Sequence, residues 1–221
     1  MYDDFFVRVE VFFMKLLILS TTLLLVTDVL AVQKAVTEEG EVVLLRDDGT
    51  WSYENKPVPE LVELTMNPDE FKKSPAANFS LKSSITNLNF WIDPKQWSFK
   101  KADENGAAEY DLSLKGGDLY GMVISEQLEV GVETLADVAF ENAQEAGSDM
   151  RIVNKEYRMV NGLKVIYMEM EGTIQGIKFT YFGHYYSDSS GSVQFLAYTG
   201  TSLAQKYESE INQYLNGIAL K

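Results

Sequence analysis

Catalysis at a protein surface needs a nucleophile, a base or a metal set held in contact, and this chain offers few of each. His184, in the stretch GIKFTYFGHYYSD from Gly176 to Asp188, is its single histidine, and there is no cysteine. A metal centre wants several His, Cys or carboxylate ligands converging, so His184 would have to recruit Glu169 or Glu156 from neighbouring strands. A hydrolytic arrangement needs a hydroxyl in contact with the imidazole, and the nearest ones by strand register are Tyr167 and Tyr186. Glu156, Arg158, Glu169 and His184 therefore form the polar set that a hydrolase-type reading would use. The competing reading makes His184 a packed side chain with one or two hydrogen bonds. Glu169 and Glu171, two apart on one strand face, could share a proton, but opposite Thr180 and Lys178 they equally suit a solvated ladder. Trp91 and Trp97 flank a turn containing Pro94 and could form an exposed aromatic platform or serve as buried anchors. No glycine-rich phosphate loop follows a strand, and no cofactor fingerprint is present.

These residues are placed by a pattern of strands. Runs at Asn89–Ile92, Ala107–Leu114, Leu119–Gln127, Met150–Val160, Leu163–Glu171, Gly176–Ser187 and Ser192–Thr199 alternate or are rich in β-branched and aromatic residues. Asn161-Gly162 is a two-residue hairpin signal that pairs Val160 with Leu163 and Arg158 with Val165. A following turn at Ile174-Gln175 would set Glu169 opposite Thr180 and Val165 opposite His184. One face then carries Tyr157, Met159, Ile166, Met168, Met170, Ile177, Phe179, Tyr181 and Tyr185 and reads as the core. The other face carries Glu156, Arg158, Tyr167, Glu169, Phe182 and His184 and is mixed. Two helices interrupt the strands. The first has Thr134 and Asp137 at capping-box spacing and stops at Gly147. The second opens at Ser202, aligns Leu203, Tyr207, Ile211, Tyr214 and Leu215, ends at Gly217, and is expected to cover the His184 end of the mixed face. The layout is α+β, with a largely antiparallel sheet and helices packed on it.

Upstream, MKLLILSTTLLLVTDVLA from Met14 to Ala31 has one lysine, an apolar run and a Val29-Leu30-Ala31 ending, the pattern of a secretory signal peptide. Its uncharged run is shorter than the roughly 20 residues of a spanning helix, so no stable membrane anchor is expected after cleavage. Residues 1–13 carry Asp3, Asp4 and Glu10, the wrong charge for a signal's first region, and read as a mis-assigned start before Met14. Residues 32–56 read as a β-hairpin segment turning at Asp48-Gly49, with Leu44 opposite Tyr53 and Arg46 opposite Trp51. Residues 57–78 hold four of the five prolines and read as a linker with a short helix starting at Pro68.

Charge narrows the partners. The formal charge is −14. Removing residues 1–31 takes away Asp3, Asp4, Glu10, Asp28, Arg8 and Lys15, leaving 29 acids, 17 bases and −12. Nucleic acid and anionic membrane surfaces both need clustered Lys and Arg and are disfavoured. With no cysteine in an oxidising compartment there is neither a disulfide framework nor a thiol nucleophile. The expected location is the bacterial periplasm or outside the cell.

The stretches NFWIDPKQWSF, GMVISEQLEVGVETLADVAFENAQEA and KEYRMVNGLKVIYMEMEGTIQGIKFTYFGHYYSDSSGSVQF, with the final helix, resemble the PsbP-like fold over residues 79–221. An extrinsic photosystem subunit, a Ran-binding import factor and periplasmic proteins of the DcrB type share that fold. The resemblance implies an α/β/α sandwich that acts by binding partners, either another exported protein or a small ligand, and it transfers no catalytic residue. Residues 32–56 resemble a short segment found near the mature start of many exported bacterial proteins. N-terminal sequencing of the exported form is expected to begin at Val32; recovery of intact chain only with membranes would show that the segment is retained.

Overall fold

A computed structural model describes residues 33–37, 42–45, 51–53, 64–102 and 108–221. The signal segment and the Asp48-Gly49 turn, with Arg46, lie outside the described residues. The chain divides into two units, residues 1–63 and 64–221.

The first unit contains a three-stranded antiparallel sheet of β1 (Gln33–Val36), β2 (Val42–Leu45) and β3 (Trp51–Tyr53). Leu44 lies opposite Ser52, and Val43 opposite Tyr53. This corrects the expected pairing of Leu44 with Tyr53 by one residue. A two-residue turn at Asp48-Gly49 would have kept the expected register; the observed one leaves residues 46–50 between the strands, and an odd shift exchanges the two faces of a strand.

The second unit is built on an eight-stranded sheet. Its strands are β4 (Met66–Phe71), β7 (Trp97–Lys101), β8 (Tyr110–Leu114), β9 (Leu119–Glu126), β10 (Arg151–Val160), β11 (Leu163–Ile174), β12 (Ile177–Asp188) and β13 (Gly191–Gly200). They run in the order β4-β10-β11-β12-β13-β9-β8-β7, all antiparallel except the β4–β10 edge pair. A smaller sheet orders β14 (Ile218–Leu220), β6 (Leu88–Ile92) and β5 (Phe79–Lys82). The helices are α1 (Val132–Ala146) and α2 (Glu208–Leu215), the latter preceded by 3-10 turns at Thr201–Leu203 and Gln205–Tyr207.

Residues 66–71 are a strand where a helix starting at Pro68 was expected. Proline has no N–H for a ladder, and an edge strand is where that costs nothing; the β4–β10 register shifts between Tyr157 and Met159, across this stretch. Helix α1 starts at Val132 behind Gly131 and has no side-chain cap, so Thr134 lies inside the first turn and Asp137 pairs with Lys155 at 2.5 Å. The expected capping box is therefore absent.

Asn161 (φ 50°) and Gly162 (φ 85°) form the expected hairpin turn, with Val160 opposite Leu163 and Arg158 opposite Val165. The next turn falls at Gln175 (φ 51°) and Gly176 (φ 81°), one residue beyond the expected Ile174-Gln175, because glycine takes the second left-handed position more easily than glutamine. The register consequently moves by two. Tyr167, not Val165, faces His184, and Glu169 faces Phe182 rather than Thr180. An even shift preserves the faces, so every side chain stays on its expected side.

Both faces carry a buried core. Met168, Ile166, Met170, Tyr185 and Leu196 pack against Leu135, Ala136 and Ala139 of α1. The face read as mixed carries the larger core: Val165, Tyr167, Phe182, Val193 and Phe195 pack with Phe90 and Ile92 of the small sheet and Ile211, Tyr214 and Leu215 of α2. The single core face expected from alternation is thus one of two. Tyr214 lies flat enough over β9 that a Cβ on Gly121 would stand 2.5 Å from its hydroxyl, so only glycine fits beneath it.

Asn161 does more than turn the chain. Its backbone N–H donates to the Phe71 carbonyl at 2.9 Å, its side-chain oxygen accepts from the Lys73 N–H at 2.9 Å, and its amide donates to the Asn216 and Ile218 carbonyls at 2.7 Å each. Asn161→Ala is expected to cost about 2 to 4 kcal/mol, combining lost hydrogen bonds with a left-handed alanine. Gln175→Asn, at the exposed turn of the same type, should be neutral or stabilising by roughly half a kcal/mol. Urea denaturation of both variants checks the contrast, and equal effects would show that the clamp contributes nothing.

Candidate functional site

Five of the seven sequence-selected residues meet on the α2 side of the sheet. Glu156, Tyr167, His184 and Phe195 stand in one cross-strand row over β10, β11, β12 and β13. Arg158 sits two residues along from Glu156, and Glu169 two along from Tyr167. The Arg158 guanidinium lies 3.4 Å from the Tyr167 ring centre and 4.7 Å from that of Phe71, and its Nε donates to Glu156 Oε1 at 2.6 Å. Asn67 donates to the same carboxylate oxygen at 3.0 Å. This is a nearly closed ion pair clamped between two rings, with both side chains mostly buried. Tyr167 points its hydroxyl at Glu169 Oε2, 3.4 Å away. Burial raises the Glu169 carboxyl above the ordinary glutamate range; the charges of Glu171 and Glu208 add to the rise, while the Tyr167 hydrogen bond and Arg158 oppose it.

His184 is fully buried. Its Nδ1 stands 3.0 Å from the Leu215 carbonyl oxygen, and since a carbonyl only accepts, the proton is on Nδ1. Nε2 is bare and has no hydrogen-bond partner among the described residues. Burial, with the Arg158 charge adding, outweighs the Leu215 hydrogen bond and pushes the imidazole down to about 3. The ring is neutral at physiological pH and meets Tyr167 edge-on at 5.9 Å.

The carbonyl that His184 holds belongs to the last residue of α2, where carbonyls lose their intrahelical partners. The neighbouring carbonyls are held in the same manner. Asn161 takes those of Asn216 and Ile218, and the Trp91 backbone N–H takes that of Gly217 at 2.8 Å. His184 thus works as a C-terminal capping donor for α2, reaching up from the sheet.

Arg158 and Glu156 neutralise each other, the imidazole proton is engaged, and among the described residues no hydroxyl hydrogen-bonds the histidine. Among the described residues, no three His, Asp or Glu side chains stand close enough to hold a metal ion together. The tryptophans are elsewhere and apart. Trp97 is buried and stacked on Tyr214 with ring centres 4.5 Å apart, while Trp91 is half-buried under the Lys73 ammonium at 4.8 Å. They form no shared platform. Sequence reasoning missed Asn67, because β4 was read as a linker, and the clamp role of Asn161, whose side-chain partners are about 55 and 88 residues away.

A buried histidine lowered from 6.5 to about 3 makes the unfolded state bind the extra proton between those values. Its stabilising contribution is complete above pH 6.5 and is lost as pH falls toward 3. Relative to pH 7, His184 should therefore cost about 2 kcal/mol at pH 5. The difference between the stability–pH curves of the native protein and His184→Gln isolates this contribution from the carboxylates; a flat difference would contradict the burial.

No family model matches the chain, and no curated protein matches it. Solved structures do. Cyanobacterial PsbP (CyanoP) from Synechocystis sp. PCC 6803 superposes with a TM-score of 0.50 at 9% identity, covering 65% of this chain and 92% of that one. LpqN, involved in cell envelope biogenesis of Mycobacterium tuberculosis, gives 0.46 at 7% identity over 61% and 83%, and a protein of unknown function from Pseudomonas aeruginosa gives 0.42 at 10% over 65% and 96%. At these identities the likeness concerns architecture alone. The chain carries the PsbP-like fold, an antiparallel sheet with helices packed on it.

Proposed function

We propose that this chain is a non-catalytic exported module that works by holding a partner, another exported protein or a small ligand. The observation that carries the reading is the state of the one polar constellation that could have done chemistry: His184 is sealed under α2 with its proton given to the Leu215 carbonyl, and Arg158 is spent on Glu156. A general base must reach its substrate, and a nucleophile must touch its base. The fold it shares with CyanoP is consistent with this, and the signal-like segment at 14–31 supplies the reason to place it outside the cytoplasm.

The competing reading is a hydrolase working from Glu156, Arg158, Glu169 and His184. It is tested by incubating the purified chain with chromogenic esters, phosphoesters and glycosides alongside Glu169→Gln. The expected result is the same background rate for both proteins. Turnover by the native chain that is lost in a folded Glu169→Gln protein would overturn the non-catalytic reading.

A further inference from the structure

The α1 side of the large sheet is only half covered. Helix α1 lies over β11 and β12. Its register about its own axis is fixed by two contacts, Glu133 accepting from the Tyr157 hydroxyl and Asp137 pairing with Lys155, both toward β10. At 100° per residue the opposite flank, Val138, Asn142 and Glu145, faces β13 and β9. Beyond that flank the outward residues of β9 form a floor of Tyr120, Met122 and Ile124, ending at Glu126. Tyr198 on β13 lies beside Tyr120, and the two rings are stacked with centres 5.5 Å apart. Tyr181 continues the stack at 5.3 Å.

This trough is apolar where apolar groups are normally hidden. Val138 is 44% exposed, Tyr120 39%, and Leu128, in the connection from β9 to α1, 58%. From β13 to β8 the uncovered sheet measures about 10 Å between strand axes. That matches the diameter of roughly 10 to 12 Å of one helix with its side chains. The far wall is a ladder in which Lys100 pairs with Asp111 and Ser98 meets Ser113. The remaining rim charges are Glu126 and Glu129 at one end and Glu145 along α1, all exposed, and none is in an ion pair among the described residues.

We propose that this trough between α1 and β8 takes an amphipathic helix of a partner protein, its apolar stripe on the tyrosine floor and its flanking Lys or Arg side chains against the three glutamates. The assignment deepens the partner-holding reading above and rests on it. Charge selects the occupant. A second copy would bring the same acidic charge to the rim, and the outward positions of its α2, such as Glu208, Ser209, Asn212 and Gln213, offer no base. An anionic lipid surface would be repelled by the glutamates. Stacked tyrosines give a rigid anchoring surface at low entropic cost, and lysine or arginine heads can lie against their ring faces.

The test uses the chain lacking residues 1–31, labelled with ¹⁵N, and three probes: an 18-residue Leu/Lys peptide of amphipathic helical pattern, a Leu/Glu peptide of the same pattern, and phosphatidylglycerol vesicles. The expected result is saturable shifts with the Leu/Lys peptide confined to Tyr120, Met122, Ile124, Leu128, Val138 and Tyr198, and none with the other two probes. Val138→Lys and Tyr120→Ala, both at exposed positions, should each weaken binding at least tenfold, while Asp69→Asn on the distant edge strand leaves it unchanged. Shifts spread over surface acids, equal losses in Asp69→Asn, binding of vesicles at the same residues, or concentration-dependent shifts without peptide would overturn the proposal. None of these outcomes depends on turnover, so failure of the trough and failure of the non-catalytic reading remain distinguishable.

Discussion

The carbonyls at the end of α2 must find donors, and the sheet supplies them. Helix termini leave such groups without intrahelical partners, and burying them unpaired costs on the order of 1 to 3 kcal/mol each. Leu215, Asn216, Gly217 and Ile218 are all buried or half-buried. Their carbonyls are met by the His184 ring, the Asn161 amide and the Trp91 backbone. From that docking follow the position of α2 over the sheet and of β14 beside β6. The closure of the larger core over Val165, Tyr167 and Phe195 follows as well.

The same docking decides what His184 can do. A histidine at an exposed sheet position would titrate near neutrality and be available to a ligand. Sealed under the helix end with Nδ1 engaged, it is held neutral by burial, and the nearby Arg158 charge disfavours a second proton further. Arg158 is in turn held by Glu156 and by the rings of Tyr167 and Phe71, so the polar row across β10 to β12 forms one interlocked support. The half-covered α1 side lies outside this support.

Much of this was legible from residue pattern where the signal is local. Asn161-Gly162 announced its turn and fixed the β10–β11 register, and parity put His184, Tyr167 and Glu169 on one face even though the next turn was misplaced, because the error was even-numbered. The second helix was expected over the His184 end of the mixed face and lies there, but alternation could not show that the rest of that face is covered too. That further cover comes from β5, β6 and β14, short strands of which β14 and β6 pair residues about 130 apart, beside a helix whose first turns are 3-10. Pro68 hid β4 because proline reads as a helix start or a linker until an edge strand is known to be available. Trp97 could be a platform residue or a buried anchor in sequence, and it is a core residue because Tyr214, over 100 positions later, stacks on it.

The account stands on a neutral, Nδ1-protonated His184 donating to the end of α2. Since the chain has one histidine, its imidazole ¹⁵N signals can be followed by NMR without assignment ambiguity. The account predicts a protonated Nδ1 and a bare Nε2 whose shifts stay constant from pH 8 down to about pH 4.5, while the protein remains folded. A titration midpoint near the ordinary histidine value, or a proton on Nε2, would contradict it.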